Sequence, residues 1–193
     1  MKSIEDRNKS LKQAPDALIV LDVDGVLNRL VSDQNEPAIS VTRRNGTSFP
    51  IRVDLEVIAA LENQVQRPGV RIGWLTTWGV DVDQLVSDAF DGMLSGGYVI
   101  AERPNDIFVP MDWKLRALLD HLEALGHPSY VWADDDAVSA ALLLRPTFAR
   151  CLHSERLLLA TEPEIGMTLG DVSQIRRFLD RVESPRRDFS AQL

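Results

Sequence analysis

Ala17-Leu18-Ile19-Val20-Leu21-Asp22-Val23-Asp24-Gly25-Val26-Leu27-Asn28 is the stretch that decides the fold. Its first five residues are apolar without alternation, and they stop at a polar cluster. A short run of that kind reads as a central strand buried on both faces. Two later segments have the same grammar. Val70-Arg71-Ile72-Gly73-Trp74-Leu75 stops at Thr76-Thr77-Trp78, and Ser129-Tyr130-Val131-Trp132-Ala133 stops at Asp134-Asp135-Asp136. Each run therefore delivers polar side chains at its C-terminal end.

Helical patterns lie between these runs. Leu55, Ile58, Ala59, Leu61 and Val65 share one face of a predicted helix over 54–66, which Pro68-Gly69 stops. Val82, Leu85, Val86 and Ala89 mark a second helix over 81–90. Leu115, Leu118, Leu119, Leu122 and Leu125 mark a third over 111–125, with Gly126 as its C-terminal stop. Residues 136–144 and 171–182 read as two more helices, and 156–160 as a further buried strand. Strands alternating with helices predict an α/β fold, a doubly wound, Rossmann-like parallel sheet with helices on both faces. One segment breaks the rhythm. Residues 38–43 and 47–53 flank Asn45-Gly46, the dipeptide that best supports a tight hairpin turn. The expected domain plan is a flexible segment over 1–16, one catalytic domain over 17–183 with the hairpin at about 38–53, and a flexible tail over 184–193.

Composition narrows the function. A chain of 193 residues is long enough to bury a core without disulfides or a structural metal. The single cysteine, Cys151, sits in an apolar stretch and reads as a packed thiol in a reducing compartment. A formal charge of −8 opposes a protein that coats nucleic acid by bulk electrostatics, while leaving room for a local basic patch. No apolar run reaches the roughly 20 residues of a membrane span, and the polar first 15 residues hold no signal-peptide segment. The expectation is a cytoplasmic protein with no membrane contact and no obligate protein partner.

In an open α/β sheet the ligand crevice lies outside the carboxyl ends of the strands. This sequence sends Asp22, Asp24 and Asn28 there after the first strand, Thr76, Thr77 and Trp78 after the second, and Asp134 to Asp136 after a later one. Lys114 starts the helix before that last strand. Carboxylates crowded so closely repel each other and call for a cation. An all-oxygen set suits a hard ion, and Mg2+ is the usual choice where phosphate is a co-ligand. The bland reading of Asp81 and Asp136 is that they cap helices. Trp74 and Trp132 lie inside strand runs and read as core, whereas Trp78 and Trp113 flank the motifs and have the shape to stack on a base. His121, His127 and His153 are scattered and are not expected to ligate a metal. Arg43 and Arg44 at the hairpin tip are candidates for contact with an anionic substrate.

The run Asp22-Val23-Asp24-Gly25-Val26-Leu27-Asn28 at the end of an apolar strand resembles the first motif of the haloacid dehalogenase (HAD) superfamily. Thr76 after a strand, Lys114, and Asp134-Asp135 after a strand follow in that superfamily's order, over about residues 17–182. More closely, Trp74-Leu75-Thr76-Thr77-Trp78-Gly79, Trp113-Lys114, Trp132-Ala133-Asp134-Asp135-Asp136 and Gly166-Met167-Thr168 resemble a bacterial branch grouped with the phosphatase domains of RNA-repair enzymes and polynucleotide kinase-phosphatases. The resemblance implies a phosphomonoester hydrolase with Asp22 as nucleophile, carrying an aspartyl-phosphate. It implies Asp24 as general acid and then base, Thr76 on the phosphoryl oxygens, and Lys114 offsetting charge. It also implies Mg2+ on the Asp22 carboxylate, the Asp24 carbonyl and the Asp134-Asp135 pair, with Asp135 as the direct ligand. Asn28, Thr77, Trp78, Arg43 and Arg44 are left as candidates for substrate contact.

Other readings fit less well. A two-component receiver domain carries its acidic pair at the first strand, and a dehalogenase lacks the second aspartate. A non-catalytic HAD-fold module that binds magnesium or phosphate for a regulatory purpose is the alternative, although none of the expected acids is missing. The interval 28–69 has room for the hairpin and one core helix, and 90–111 is too short for a domain. A site without a large cap domain admits either a phosphorylated small molecule or a nucleic-acid end.

Overall fold

The computed structural model describes residues 14–32, 35–104, 112–139 and 154–190, with only the backbone over 184–190. Strand β1 (Ala17–Leu21) is buried at every position, as its unbroken apolar run predicts. It lies at the middle of a five-stranded sheet with β4 (Val70–Trp74) and β6 (Ser129–Asp134) on either side. Strand β5 (Tyr98–Val99) pairs outside β4, and β7 (Arg156–Ala160) outside β6. All four pairings are parallel. The chain thus builds outward on one side of β1 and then crosses to the other, the doubly wound arrangement that opens a crevice at the strand ends.

The alternation of side chains along β1 fills two separate cores. Ile19 and Leu21 face one layer with Ile58, Leu61, Val82, Leu85, Ile175, Phe178 and Leu179. These come from α1 (Leu55–Val65), α2 (Val82–Asp88) and α4 (Leu169–Ser190). Leu18 and Val20 face the opposite layer, with Leu115, Leu118 and Leu122 of α3 (Trp113–Ala124) and with Tyr130 and Trp132. Helix α1 begins where Asp54 accepts the backbone N–H groups of Glu56 and Val57. Arg67, just after it, pairs with Asp180 and Glu183 and ties α1 to α4.

Several boundaries differ from the sequence pattern. Strand β5 was not anticipated, because two residues carry no periodicity. Helix α4 runs to Ser190, past the expected stop near 182. The helix expected over 136–144 starts at Ala137, and its remainder lies outside the described residues, as do Cys151 and His153. Residues 1–13, the greater part of the segment expected to be flexible, also lie outside them.

The hairpin stands as a separate two-stranded sheet of β2 (Ile39–Thr42) and β3 (Ser48–Ile51). Its turn is not built on Asn45-Gly46 as the central pair. Arg43 and Thr47 are hydrogen-bonded partners, and the Gly46 N–H donates to the Arg43 carbonyl at 2.9 Å. Arg44 and Asn45 are therefore the central residues of a β-turn, and Gly46, at φ +85°, takes the left-handed bulge position after it. The asparagine has no need of positive φ in this loop. Its side chain instead accepts from the Thr47 N–H at 2.9 Å. One face of the hairpin packs on the domain through Val41 and Ile51, both fully buried. At the tip, the Arg44 N–H donates to Asp81 and its guanidinium donates to the Val80 carbonyl and to Asp83.

Candidate functional site

Strand register assembles the site. Leu21 pairs with Trp74 on one side and Ala133 on the other, so the three central strands end level. The residues that follow are Asp22, Leu75-Thr76 and Asp134, and they emerge side by side. The Asp22 N–H donates to the Ala133 carbonyl and the Leu75 N–H to the Leu21 carbonyl, which continues the ladder one step into the site.

Asp22 is 5% exposed, and its carboxylate is shared between the backbone and a lysine. The Val23 N–H donates to Oδ1 at 2.7 Å, and Lys114 Nζ donates to Oδ2. Lys114 also donates to Asp134 Oδ2 at 2.7 Å, so one buried ammonium bridges two buried carboxylates. Burial pushes the Asp22 carboxyl up from 3.8 to about 6; Lys114 opposes that rise, Asp134 adds to it, and the Thr76 hydroxyl again opposes it. Burial pulls the Lys114 ammonium down, but the charges of Asp22 and Asp134 outweigh this and hold it above its ordinary value. Burial and the neighbouring Asp134 likewise raise Asp135.

Ligand atoms of Asp22, Asp134 and Asp135 lie within 4.8 Å of one another. Three carboxylates and one ammonium leave a surplus of negative charge in a largely buried place, and all the donor atoms are oxygens. That donor set fits a hard divalent cation such as magnesium. The loop after β1 is shaped for the same cluster. Gly25 adopts φ +74°, and a Cβ there would meet Asp135 Oδ2 at 2.4 Å, so the third carboxylate occupies the space a side chain would take. The Thr161 hydroxyl donates to the Gly25 carbonyl at 2.8 Å and the Met167 N–H to the Val26 carbonyl at 2.6 Å, which braces the loop from beyond β7.

Asp24 sits at the rim, half-buried, with each oxygen taken by a different donor. Asn28 Nδ2 donates to Oδ1 at 2.8 Å and Trp78 Nε1 to Oδ2 at 2.9 Å. Asn28 also accepts the Arg52 N–H at 2.9 Å, so this buried amide joins the first loop to the base of the hairpin.

The structure corrects part of the substrate set. Trp78 is only 3% exposed and committed to Asp24, so its face is not free to stack on a base. Asn28 is likewise committed, between Asp24 and Arg52. Arg44 is turned away onto Asp81 and Asp83. Arg43 lies with its Cζ 4.1 Å above the Trp78 ring and 4.9 Å above that of Phe49. Thr77 is exposed beside the site, whereas Thr76 is fully buried, its hydroxyl accepting the Trp78 N–H at 3.3 Å. The capping roles also differ from expectation. Asp134, not Asp136, accepts the Asp136 and Ala137 N–H groups at 3.0 and 2.6 Å, and Asp81 makes no cap hydrogen bond. His121 is far from this chemistry by its contacts, its Nε2 hydrogen-bonded to the Tyr98 hydroxyl at 2.8 Å. Sequence reasoning missed Thr161 and the part played by Phe49, because neither lies in a local motif.

The family model for the HAD domain in Swiss Army Knife RNA repair proteins matches residues 18–172, from β1 into α4. The chain belongs to this HAD family. The HAD domain resembles the solved HAD domain of the effector protein Lem4 from Legionella pneumophila, with 13% identity and a TM-score of 0.57 over 89% of this chain and 97% of that one. An inactive mutant of the same Lem4 domain aligns at 13% identity with a TM-score of 0.56, over 90% and 97% of the two chains. At that identity the likeness speaks for the fold. No curated protein matches the chain. Among the described residues, no helix is long and apolar enough to cross a membrane.

Proposed function

We propose that this HAD domain is a magnesium-dependent phosphomonoester hydrolase that works through an aspartyl-phosphate on Asp22. The observation that carries the proposal is the convergence of Asp22, Asp134 and Asp135 on one point, with Lys114 bridging two of them and Asp24 held at the rim. Asp22 and Asp135, with the Asp24 carbonyl, are the groups that would hold magnesium. Asp134 is the weaker candidate because Lys114 takes one of its oxygens and two backbone N–H groups the other. The ion would supply positive charge against the phosphoryl oxygens.

In the first step an Asp22 oxygen forms a bond to phosphorus while the ester P–O bond breaks, and the departing oxygen takes the proton from Asp24. In the second step Asp24, now ionised, removes a proton from water as the water oxygen bonds to phosphorus. The bond to Asp22 breaks and inorganic phosphate leaves. Lys114 limits the repulsion between Asp22 and the incoming dianion, and Thr76 and Thr77 stand where strand β4 delivers hydroxyls to the phosphoryl group. The work is positioning and charge neutralisation, as phosphoryl transfer requires.

The match to HAD domains of RNA repair proteins, the small hairpin as the one sheet element among the described residues between β1 and α1, and the cation of Arg43 over the Trp78 ring favour a nucleic-acid end as substrate over a free metabolite. A phosphatase screen of 3′- and 5′-phosphorylated oligonucleotides beside nucleotides and sugar phosphates, with magnesium or chelator, tests this. The expected result is turnover only with magnesium and the highest kcat/KM on an oligonucleotide end. Turnover that survives chelation overturns the metal assignment, and absence of turnover on every ester overturns the enzyme reading.

A further inference from the structure

The carboxylate of Asp24 is held by a contact from the loop after β4, which the hairpin in turn secures. Trp78, whose indole N–H reaches Asp24 Oδ2 at 2.9 Å, is itself clamped by two hairpin side chains. Phe49 meets the indole edge-on, with ring centroids 5.5 Å apart and planes at 66°. The Arg43 guanidinium covers it at 4.1 Å. Arg43 Nε is buried without a hydrogen-bond partner, and among the described residues Arg43 makes no ion pair. Its engagements are the two ring faces, whereas neighbouring Arg44 takes both nearby carboxylates and fastens the hairpin tip to Val80, Asp81 and Asp83. The hairpin and the loop after β4 are therefore joined twice, once through Arg44 and once through the aromatic stack.

We infer that Trp78 is a positioning residue for the general acid and base, and that Arg43 and Phe49 act through it. The inference rests on the phosphatase reading in which Asp24 exchanges protons with the leaving group. A carboxylate has about four lone-pair directions. The Asn28 and Trp78 donors occupy one on each oxygen, which fixes the plane of the group and leaves the remaining directions for the transferred proton. Without the indole N–H the carboxylate is held at one oxygen only and can turn away from the leaving atom, and such misplacement lowers the rate of proton transfer. The docking of the hairpin then orients the acid.

General acid assistance matters in proportion to the basicity of the leaving group, which gives a readout that a merely structural role does not move. The test measures kcat/KM for wild type, Trp78→Phe, Arg43→Met and Asp24→Asn over aryl and alkyl phosphate monoesters of graded leaving-group pKa. Trp78→Phe keeps an aromatic ring beneath Arg43 and beside Phe49 while removing the N–H. It should lose roughly ten- to a hundredfold more on an alkyl ester than on a nitrophenyl ester, a part of the 10²–10⁴ that general acid catalysis supplies. Arg43→Met should shift the slope in the same direction by less, and Asp24→Asn should set its limit. Equal losses across the series would overturn the inference. The indole ¹H–¹⁵N resonance of Trp78 supplies a readout without turnover, and so separates this proposal from the phosphatase reading. It should move in Asp24→Asn and lose exchange protection in Arg43→Met, a variant that leaves the indole in place. A resonance indifferent to both substitutions would also overturn it.

Discussion

Replacing Asp22 by Asn should stabilise the metal-free protein while abolishing turnover. The carboxyl rises from 3.8 to about 6 chiefly because burial disfavours its charge. At about 1.4 kcal/mol per unit, a rise of roughly two units corresponds to about 3 kcal/mol of stability given up at neutral pH. The sign follows from proton binding. Between 3.8 and about 6 the folded chain keeps a proton that the unfolded chain has released, so stability falls as pH rises through that window and levels off above it. The amide removes the charge and still offers an oxygen to Lys114, so much of that contact survives. A net gain of about 2 kcal/mol is expected, or a rise in Tm of roughly 4–8 °C for a domain of this size. The assay is thermal unfolding in chelator at pH 7.5 and at pH 5, where the advantage should shrink to about a third as wild-type Asp22 takes up its proton. With excess magnesium the order should reverse, because the ion stabilises the form that binds it more tightly. A variant less stable than wild type at pH 7.5 in chelator, or an advantage independent of pH, would refute the claim that a buried charge only partly offset by Lys114 sits at Asp22.

Lys114→Met removes the ammonium that bridges Asp22 and Asp134. The two carboxylates left facing each other should cost about 3–5 kcal/mol in urea unfolding, and magnesium should recover part of the loss; a cost below about 1 kcal/mol would show that water already screens the pair. Gly25→Ala places a methyl 2.4 Å from Asp135 Oδ2 on a backbone with φ +74°. Calorimetry should find magnesium bound at least tenfold more weakly, and an unchanged affinity would mean that Asp135 is not a ligand.

Much of this was legible in the chain because its signals are local. The uniform burial of β1 follows from an apolar run without alternation, and the placement of Asp22, Thr76 and Asp134 at the crevice follows from where three such runs end. What was hidden depends on contacts between distant segments. Asp24 and Trp78 meet across 54 positions, and no periodicity announces a tryptophan that gives its N–H to a carboxylate rather than its face to a base. Arg43 and Arg44 are adjacent and chemically alike, yet the turn sends one onto an indole and the other onto two aspartates. The choice between Asp134 and Asp136 as helix cap was likewise invisible, since either acid suits the role and only the lysine-bridged geometry of the strand end selects one.

The most direct test of the central claim is to find the phosphoryl group on the enzyme. The protein is mixed with a ³²P-labelled phosphate monoester that it hydrolyses, in magnesium, then quenched in acid within the first turnovers, digested and mapped. The account predicts label on the peptide that carries Asp22, lost on treatment with neutral hydroxylamine and absent from the chelated protein and from Asp22→Asn. Product release with no label on Asp22, or with undiminished turnover in Asp22→Asn, would contradict it.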